Sequence, residues 1–346
     1  MDRSRIVESI LVLTHADETG SALSKASLEA ITAGQDLAAR TRETLTIGIV
    51  AADATTLSKG LPSTKLLAVS GEAFAQPRYA TDAAACEALC RAAGASIVLV
   101  PAGARFSRVA AGVAYRLGGA IDTHITAIHA GADGLEANRW FYRQRVEAVL
   151  TRDARPWFLV LDAGTHAPFV PGEGSPQIET VAVHLPALRT TVTRIQSPKQ
   201  DEQTIRPDAK MLFVTGAGWT KKQPDGQTHV DEAGNLILAF LRATGASLGS
   251  SKSLVDQGGD GNSVLPFLTH MNQIGQTGAT PRHAKGLSTC CHGEEPHVVG
   301  WRFIADRRAI SLDANCGWTR GKADVVYVAD AFQVIAKLNE LLAKEK

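Results

Sequence analysis

The sequence predicts an α/β protein of two domains, the first built on a doubly wound, mostly parallel sheet. Short apolar runs rich in β-branched residues alternate with amphipathic segments, and a second series of this kind begins after residue 210. The length of 346 residues suits two domains. We expect an N-terminal α/β domain over 1–185, a linker over 186–209 and a C-terminal domain over 210–346.

Five buried strands are predicted in the first half, because five short apolar runs there end in small or polar residues. The runs are SILVLTHAD, LTIGIVA, KLLAVSG, SIVLVPAG and HITAIHA. Amphipathic helices are predicted between them, over 22–39, 81–93 and 108–117. The runs RWFYRQRVEAVLTRDARPWFLVLDAG and IETVAVHLP, which lie within 139–186, are predicted to add antiparallel strands to the same sheet.

The second half repeats the alternation after a polar segment with three prolines, which we interpret as the linker. KMLFVTGAGW predicts a strand that runs into a glycine turn. DEAGNLILAFLRATGA predicts a helix with Asp231 as N-cap and Gly245 just past its end. RRAISLDAN and ADVVYVAD predict further strands. The chain closes on a predicted amphipathic helix with four apolar residues facing inward: Phe332, Ile335, Leu338 and Leu342.

Composition excludes several classes of protein. The 36 basic and 35 acidic residues leave a formal charge of +1, which argues against nucleic acid or an acidic membrane surface as a partner. The apolar runs are shorter than the ~20 residues of a membrane helix, and the N-terminus lacks the features of a signal peptide. Five cysteines in so long a chain do not suggest a disulfide scaffold. We therefore expect a cytoplasmic protein without membrane insertion.

Two glycine-containing loops are candidates for ligand binding. TGAGW, with Gly216 and Gly218, resembles a phosphate-binding turn in outline, although a tight turn with no ligand explains it equally well. MNQIGQTG places Gln273, Gln276 and Thr277 among glycines on what we expect to be a strand-to-helix loop. Neutral amides and a hydroxyl suit hydrogen bonds to a polar ring or a phosphate.

Other kinds of site find less support. Cysteines and histidines are frequent over 283–316, but their spacing is poor for zinc and no C-x-x-C pair occurs, so no metal site is predicted. Cys86 and Cys90 lie four residues apart on a predicted helix and are interpreted as buried structural residues. No motif of a catalytic nucleophile is evident. The chemistry is therefore expected to come from a bound cofactor.

The order of motifs resembles the alpha subunit of electron transfer flavoprotein. QIGQTG, at 273–278, is close to that family's QVGQTG. TGAGW, TGASLGSSKSLVDQG and ADVVYVADAF occur in the family's order around it. The opening ILVLTHADETGSALSKASLEAITAGQDLA and the later VPAGARFSRVAAGVAYRLGGAIDTHITAI also resemble the family's N-terminal half, so the likeness covers nearly the whole chain.

The resemblance implies a flavodoxin-like or Rossmann-like C-terminal domain that binds FAD. It also implies a heterodimer with a beta subunit, contacted through the N-terminal domain, and allows AMP in that partner. The family carries electrons from one or more dehydrogenases to a quinone reductase or a similar acceptor. The chain would then be an electron carrier rather than a catalyst with its own substrate.

The resemblance also assigns cofactor-binding residues. Thr277 matches a threonine near flavin N5, Lys252 replaces an arginine over the flavin, and His297 matches a histidine facing the flavin O2 region. A positive group there, from Lys252 or His297, would favour one-electron steps. The full set implied is Gly216, Gly218, Ser251, Lys252, Asp256, Gln273, Gly275, Gln276, Thr277, Gly278, His297, Asp313 and Asp324.

The sequence departs from the family pattern around the pyrophosphate. Gly218 stands where the family has an arginine, and Glu294 and Glu295 add negative charge. One interpretation is a divergent member that binds FAD with help from other cations, which are Arg282, Lys285 or Arg302. The alternative is a nucleotide-binding or regulatory module of the same fold whose flavin site is lost or altered. A zinc protein built on the cysteines and histidines is a third hypothesis.

Overall fold

The computed structural model describes most of the chain, in two compact units, Met1–Gln196 and Ser197–Lys346. The described residues are 8–62, 64–131, 134–141, 146–174, 176–185, 187–194, 205–206, 209–256, 264–274, 283–291, 304–316, 319 and 323–344. The described residues between 187 and 209 contain neither helix nor strand.

The N-terminal unit is a nine-stranded sheet with helices on both faces. Its strands are β1 Ser9–His15, β2 Thr44–Ala51, β3 Lys65–Ser70, β4 Ile97–Val100, β5 Ala120–Gly131, β6 Gly134–Phe141, β7 Val146–Leu150, β8 Trp157–Leu161 and β9 Ile178–Thr180. Its helices are α1 Lys25–Thr41, α2 Ala54–Leu57, α3 Tyr79–Ala93 and α4 Ala104–Arg116. The strand order is β7-β6-β5-β8-β4-β1-β2-β3-β9, so the predicted doubly wound, mostly parallel sheet is confirmed.

Alternate residues of β1 show how the sequence builds this sheet. Ile10 and Val12 face the layer that holds α1, whereas Leu11 and Leu13 face the layer of α3 and α4. All four side chains are buried, because successive residues of a strand point to opposite faces and both faces are covered by helices. Cys86 and Cys90 are buried in the second layer, as expected of structural cysteines.

The antiparallel prediction for the segment after residue 139 is right for two strands and wrong for two. β6 and β7 are antiparallel to their neighbours. β8 lies between β4 and β5 and is parallel to both, and β9 is parallel to β3. All five residues of β8 are buried, which is typical of a central strand in a parallel sheet covered on both faces.

The C-terminal unit has a five-stranded sheet in which every pair of neighbours is parallel. Its strands are β10 Met211–Thr215, β11 Ser247–Ser250, β12 His283–Cys291, β13 Ile304–Ser311 and β14 Val325–Val328, and their order is β11-β10-β12-β13-β14. Its helices are α5 Val230–Thr244, α6 Lys252–Asp256 and α7 Ala331–Lys344. This second parallel sheet confirms the predicted α/β class for the second half.

The ends of α5 differ in how well the sequence predicted them. The N-cap is His229 rather than Asp231, which instead lies in the first turn, where a negative charge favours the helix dipole. Gly245 is the C-cap in the left-handed conformation, as expected. In α7, Phe332 and Ile335 are buried in the core of the unit, and Leu338 and Leu342 pack against it.

Among the residues that the structure describes, none of the helices combines the length and the apolar character that a membrane crossing needs.

Candidate functional site

The carboxyl edge of the C-terminal sheet carries a row of buried hydroxyl groups. Four neighbouring strands place one there: Thr215 in β10, Ser250 in β11, Thr289 in β12 and Ser311 in β13. The strands are parallel, so their carboxyl ends meet at one edge, which is where open α/β sheets bind ligands. This edge is the candidate site.

The two central hydroxyls hold the strand ends in place. Thr215 Oγ1 donates to the Gly249 carbonyl oxygen at 3.1 Å. Thr289 Oγ1 donates to the Val214 carbonyl oxygen at 2.9 Å and accepts from Trp219 Nε1 at 2.8 Å. Both hydroxyls donate to carbonyl oxygens of neighbouring strands, and these hydrogen bonds fix the shape of the edge.

The glycine turn after β10 is packed into the protein. Gly216 begins a short 3-10 helix, Ala217–Thr220, and its N–H donates to the Thr289 carbonyl oxygen at 3.0 Å. Trp219 is fully buried, with its ring centroid 4.6 Å from that of Phe332. The turn leads into this 3-10 segment rather than directly into α5. The Gly216 N–H is thus already used within the protein, unlike the N–H groups of a phosphate-binding turn.

Ser251 and Lys252 follow β11 at the same edge. The Ser251 N–H donates to the Thr215 carbonyl oxygen at 2.9 Å, and its hydroxyl accepts from the Leu254 N–H at 3.3 Å. Lys252 Nζ lies 3.7 Å from Asp256 Oδ2, and both side chains are exposed. A pair this open to water adds little stability, so the ammonium group is available to a ligand at this edge.

Gln273 is brought beside this group by a parallel bridge to Ser250, reinforced by the Ile274 N–H, which donates to the Ser250 carbonyl oxygen at 3.1 Å. Gly249 permits this approach, since a Cβ there would lie 2.5 Å from Ile274 Cδ1. Two loops distant in sequence therefore meet at the end of β11. The continuation of this loop, 275–282, lies outside the described residues, so the helix expected after it stays a prediction; the next described element is strand β12.

Three further residues of this edge were missed by the sequence analysis. Asn272 Nδ2 donates to the Leu248 carbonyl oxygen at 3.2 Å, and His270 Nδ1 lies 3.7 Å from Asp256 Oδ1. Thr269 caps the short 3-10 helix His270–Asn272 in a capping box. That T-x-x-N pattern was the available signal for a local turn. Nothing in the sequence indicated that the turn would reach β11.

Two of the assigned cofactor residues lie apart from this group. Asp313 follows β13 on the same edge, three strands from β11, which corresponds to about 14 Å. Asp324 precedes β14 and so lies at the amino edge. Its Oδ1 accepts from Arg307 Nη2 at 2.9 Å, and its Oδ2 accepts from the Arg307 N–H at 2.7 Å. The side-chain and backbone hydrogen bonds from Arg307 lower the pKa of Asp324.

Several other assignments concern residues that the structure does not describe or separates. Outside the described residues lie Gly275, Gln276, Thr277, Gly278, His297, Arg282, Glu294, Glu295 and Arg302. Lys285 is near the amino end of β12, away from the candidate edge. His283 begins β12 and Cys316 follows β13, so the structure does not bring these two together. Within the described ranges, no three His, Cys, Asp or Glu residues are placed to hold a metal ion.

A comparison with protein families decides what the chain is related to. The model of the electron transfer flavoprotein domain matches residues 12–186, which is half of the chain. The chain belongs to the electron transfer flavoprotein family. This family is flavin-associated and generally works with partner subunits and redox partners. A comparison with curated proteins gave no match.

The family match lies in the N-terminal unit, whereas the candidate edge lies in the C-terminal unit. The donors at that edge suit a flavin dinucleotide, which has a polar ring system and an anionic pyrophosphate. Gln273 offers a neutral amide, and Lys252 is a cation for an anionic group. The group at the end of β11 is therefore compatible with one end of such a ligand.

Proposed function

We propose that the chain is the FAD-carrying alpha subunit of an electron transfer flavoprotein, acting as a heterodimer with a beta subunit. The observation that supports this most strongly is the bridge between Ser250 and Gln273. It unites two loops that the sequence resemblance assigns separately to the same cofactor. The C-terminal sheet has four other described strands, and the two loops nevertheless meet at the end of the same one, β11.

Bound FAD would supply the one-electron chemistry, and the protein's own residues would hold and orient it. Lys252 would place a positive charge beside it, because its pairing with Asp256 is long and exposed. Gln273 would offer an amide, and Gly275, Gln276, Thr277 and Gly278 would continue that loop. His297 and Asp313 complete the proposed binding set together with Ser251, Gly216 and Gly218.

Asp324 remains in the proposed binding set, and a variant at this position tests whether the site extends beyond the carboxyl edge. Its carboxylate is held at the amino edge by Arg307. If it contacts the cofactor, Asp324→Asn lowers FAD affinity in the complex. Unchanged FAD affinity in that variant would confine the site to the carboxyl edge.

The test of the proposal is the visible spectrum of the complex purified after co-expression with a beta subunit. We expect the flavin bands, and FAD after gentle release. A colourless complex from which no flavin is released would refute the proposal. The same preparation shows whether a beta subunit co-purifies and whether AMP accompanies it.

A matched pair of lysine variants tests the charge at the site. Lys252→Ala removes a charge-assisted contact, for which we expect FAD affinity to fall by about tenfold or more. Lys285→Ala removes a charge that is also exposed but lies near the amino end of β12, and it should leave affinity unchanged. Equal affinities for the two variants would contradict the role of Lys252.

A second candidate function is a nucleotide-binding or regulatory module of the same fold with an altered ligand. The observation that favours it is the glycine turn, in which Gly218 replaces the family's arginine and the Gly216 N–H is bonded to Thr289. This turn offers less to a pyrophosphate than the family pattern does. A complex without visible absorbance that nevertheless binds a mononucleotide in calorimetry would favour this function.

We also propose the electron donor, the acceptor and the compartment. Electrons would arrive from one or more dehydrogenases and leave to a quinone reductase or similar acceptor, in the cytoplasm. Reduction of the purified complex by a candidate dehydrogenase, followed as bleaching of the flavin bands, would identify the donor.

A further inference from the structure

The strand order of the N-terminal unit reverses between β1 and β4, which is where an open α/β sheet forms a crevice at its carboxyl edge. These strands are parallel neighbours, although β2 and β3 come between them in the sequence. The chain leaves β1 for α1 on one face of the sheet and leaves β4 for α4 on the other. Where the strand order reverses in this way, the two connections diverge and leave room for a ligand.

His15, the last residue of β1, turns an unpaired nitrogen into this crevice. Its side chain is 8% exposed. Nδ1 lies 2.7 Å from the Ala16 carbonyl oxygen, which can only accept, so Nδ1 carries the hydrogen. Nε2 is then an acceptor, and it has no hydrogen-bond partner among the described residues. The ring is held edge-on against Phe106, with centroids 4.9 Å apart.

The unpaired nitrogen faces the first turn of α4. The N-cap of this 13-residue helix is Gly103, which offers no capping side chain, and the first turn contains no acidic residue. A Cβ at Gly103 would lie 3.8 Å from His15 Nε2 and meet nothing closer. The N–H groups of a helix start attract negatively charged acceptors. This position thus presents the N–H groups at the start of α4 and one buried acceptor, His15 Nε2.

The charges around the crevice nearly cancel, and the positive charge lies on the side of Arg105 and Arg108. Asp82 is fully buried and pairs with Arg105 at 2.9 Å and with Arg108 at 3.0 Å, so this cluster carries one net positive charge. Glu18, on the exposed loop after β1, contributes the opposing charge near His15. An anion of low charge suits this balance.

We propose that the crevice binds a small oxyanion that keeps a proton, of which inorganic hydrogen phosphate is the simplest. Its hydroxyl would donate to His15 Nε2, and its charged oxygens would accept from the N–H groups at the start of α4. Sulfate carries no proton at neutral pH, and a phosphate monoester has lost most of its second one, so each offers mainly acceptors to a nitrogen that is itself an acceptor. This site lies in the N-terminal unit, whereas the one proposed for FAD lies in the C-terminal unit.

The test is calorimetric titration of the full chain at neutral pH, with inorganic phosphate as the probe and sulfate and methyl phosphate as comparison anions. We expect saturable binding of phosphate that is about tenfold or more tighter than binding of either comparison anion, as one well-placed hydrogen bond would give. Absence of saturable phosphate binding overturns the proposal and leaves a buried water as the partner of Nε2. Equal affinity for sulfate overturns it as well.

Two variants locate the binding. His15→Asn keeps a donor for the Ala16 carbonyl oxygen but removes Nε2. Gly103→Val fills the space in front of Nε2, and its backbone, with φ −164°, is one that any residue adopts. Both should weaken phosphate binding by about tenfold or more. Unchanged phosphate affinity in a folded variant of either kind, checked by circular dichroism, contradicts the assignment. If both fail to fold, the anion comparison on the unchanged protein still decides.

Discussion

Asp122 offers the sharpest test of how the antiparallel strands are fastened to the parallel sheet. It lies near the start of β5 with its carboxylate buried. Arg152 donates to it twice, from Nε to Oδ2 at 2.8 Å and from Nη2 to Oδ1 at 2.9 Å. Trp157 Nε1 donates to Oδ2 at 3.0 Å, and Arg139 Nη1 donates to Oδ1 at 3.3 Å. One carboxylate thus ties together β5, β6, β8 and the loop after β7.

The perturbation is Asp122→Asn, which keeps the shape and removes the charge. Whichever way the amide is placed, its NH₂ group faces two donors, so at least two hydrogen bonds are lost. Arg152 is partly exposed and recovers some of its loss in water. Trp157 is buried and Arg139 is three-quarters buried, so neither can replace its lost hydrogen bond with one to water in the same way. Breaking a buried pair of this kind costs about 3–5 kcal/mol in the free energy of unfolding.

The assay is urea unfolding followed by tryptophan fluorescence, with Asp153→Asn as the matched control. Asp153 is exposed and lies next to Arg152 in sequence, so its variant should change the free energy of unfolding by less than ~0.5 kcal/mol. A loss below about 1 kcal/mol in Asp122→Asn would refute the reasoning, because the donors would then have found other acceptors.

The pH dependence gives the same prediction a second measurement. Burial by itself acts to raise the pKa of Asp122, but hydrogen bonds from Arg152 and Trp157 outweigh it and hold the pKa below its usual value. The stabilisation is therefore fully present above the unfolded-state pKa of about 3.9 and is lost as the pH falls through the folded-state pKa. The stability gap between the unchanged protein and Asp122→Asn should stay constant from neutral pH down to about 5 and shrink in acid. A gap that widened in acid would contradict this prediction, because it would mean that folding raises the pKa of Asp122 rather than lowering it.

Three further predictions concern single contacts. Thr289→Val deprives Trp219 Nε1 of its acceptor and should lower the free energy of unfolding by about 1–3 kcal/mol in denaturant titrations, with Thr289→Ser as the rescuing control. Gly249→Val would force its Cβ against Ile274, so we expect a loss of about 1–3 kcal/mol in the same assay and weaker FAD binding in the complex; unchanged FAD affinity would separate the site from this packing. Burial raises the pKa of Cys90 to about 12, so a thiol reagent at neutral pH should label it only after unfolding, and rapid labelling of native protein would contradict the burial.

The sequence predicted most of the N-terminal sheet because its strands and helices differ clearly in periodicity. The error concerned β8 and β9, whose direction depends on which neighbours they meet. The fully apolar WFLVL already favoured a strand covered on both faces, which is typical of a parallel sheet. Its nearness in sequence to the antiparallel β6 and β7 suggested the wrong partner. Nothing local in IET distinguishes an edge strand of either direction.

The candidate site was predictable in its parts but not in its assembly. The motifs identified Ser251 and Gln273 separately, and their meeting depends on Gly249, whose missing side chain makes room for Ile274. Thr289 belongs to no local motif, and its role depends on a tertiary contact with Trp219, 70 residues earlier in the chain. Asp324 was assigned by alignment of motifs, which does not indicate at which end of a strand a residue lies. The structure puts about 13 Å of β14 between it and the carboxyl edge.

The two sheets reverse their strand order in the same way, and their crevices differ in what remains unpaired. In the C-terminal unit the reversal lies between β10 and β12. There the Gly216 N–H donates to the Thr289 carbonyl oxygen and Trp219 Nε1 donates to its hydroxyl, so both donors are already used within the protein. At the corresponding position in the N-terminal unit, the Nε2 of His15 has no hydrogen-bond partner among the described residues. A ligand in the C-terminal unit would therefore be held from the β11 side, by Lys252 and Gln273, and this is why affinity in that unit should respond to those side chains more than to the glycine turn.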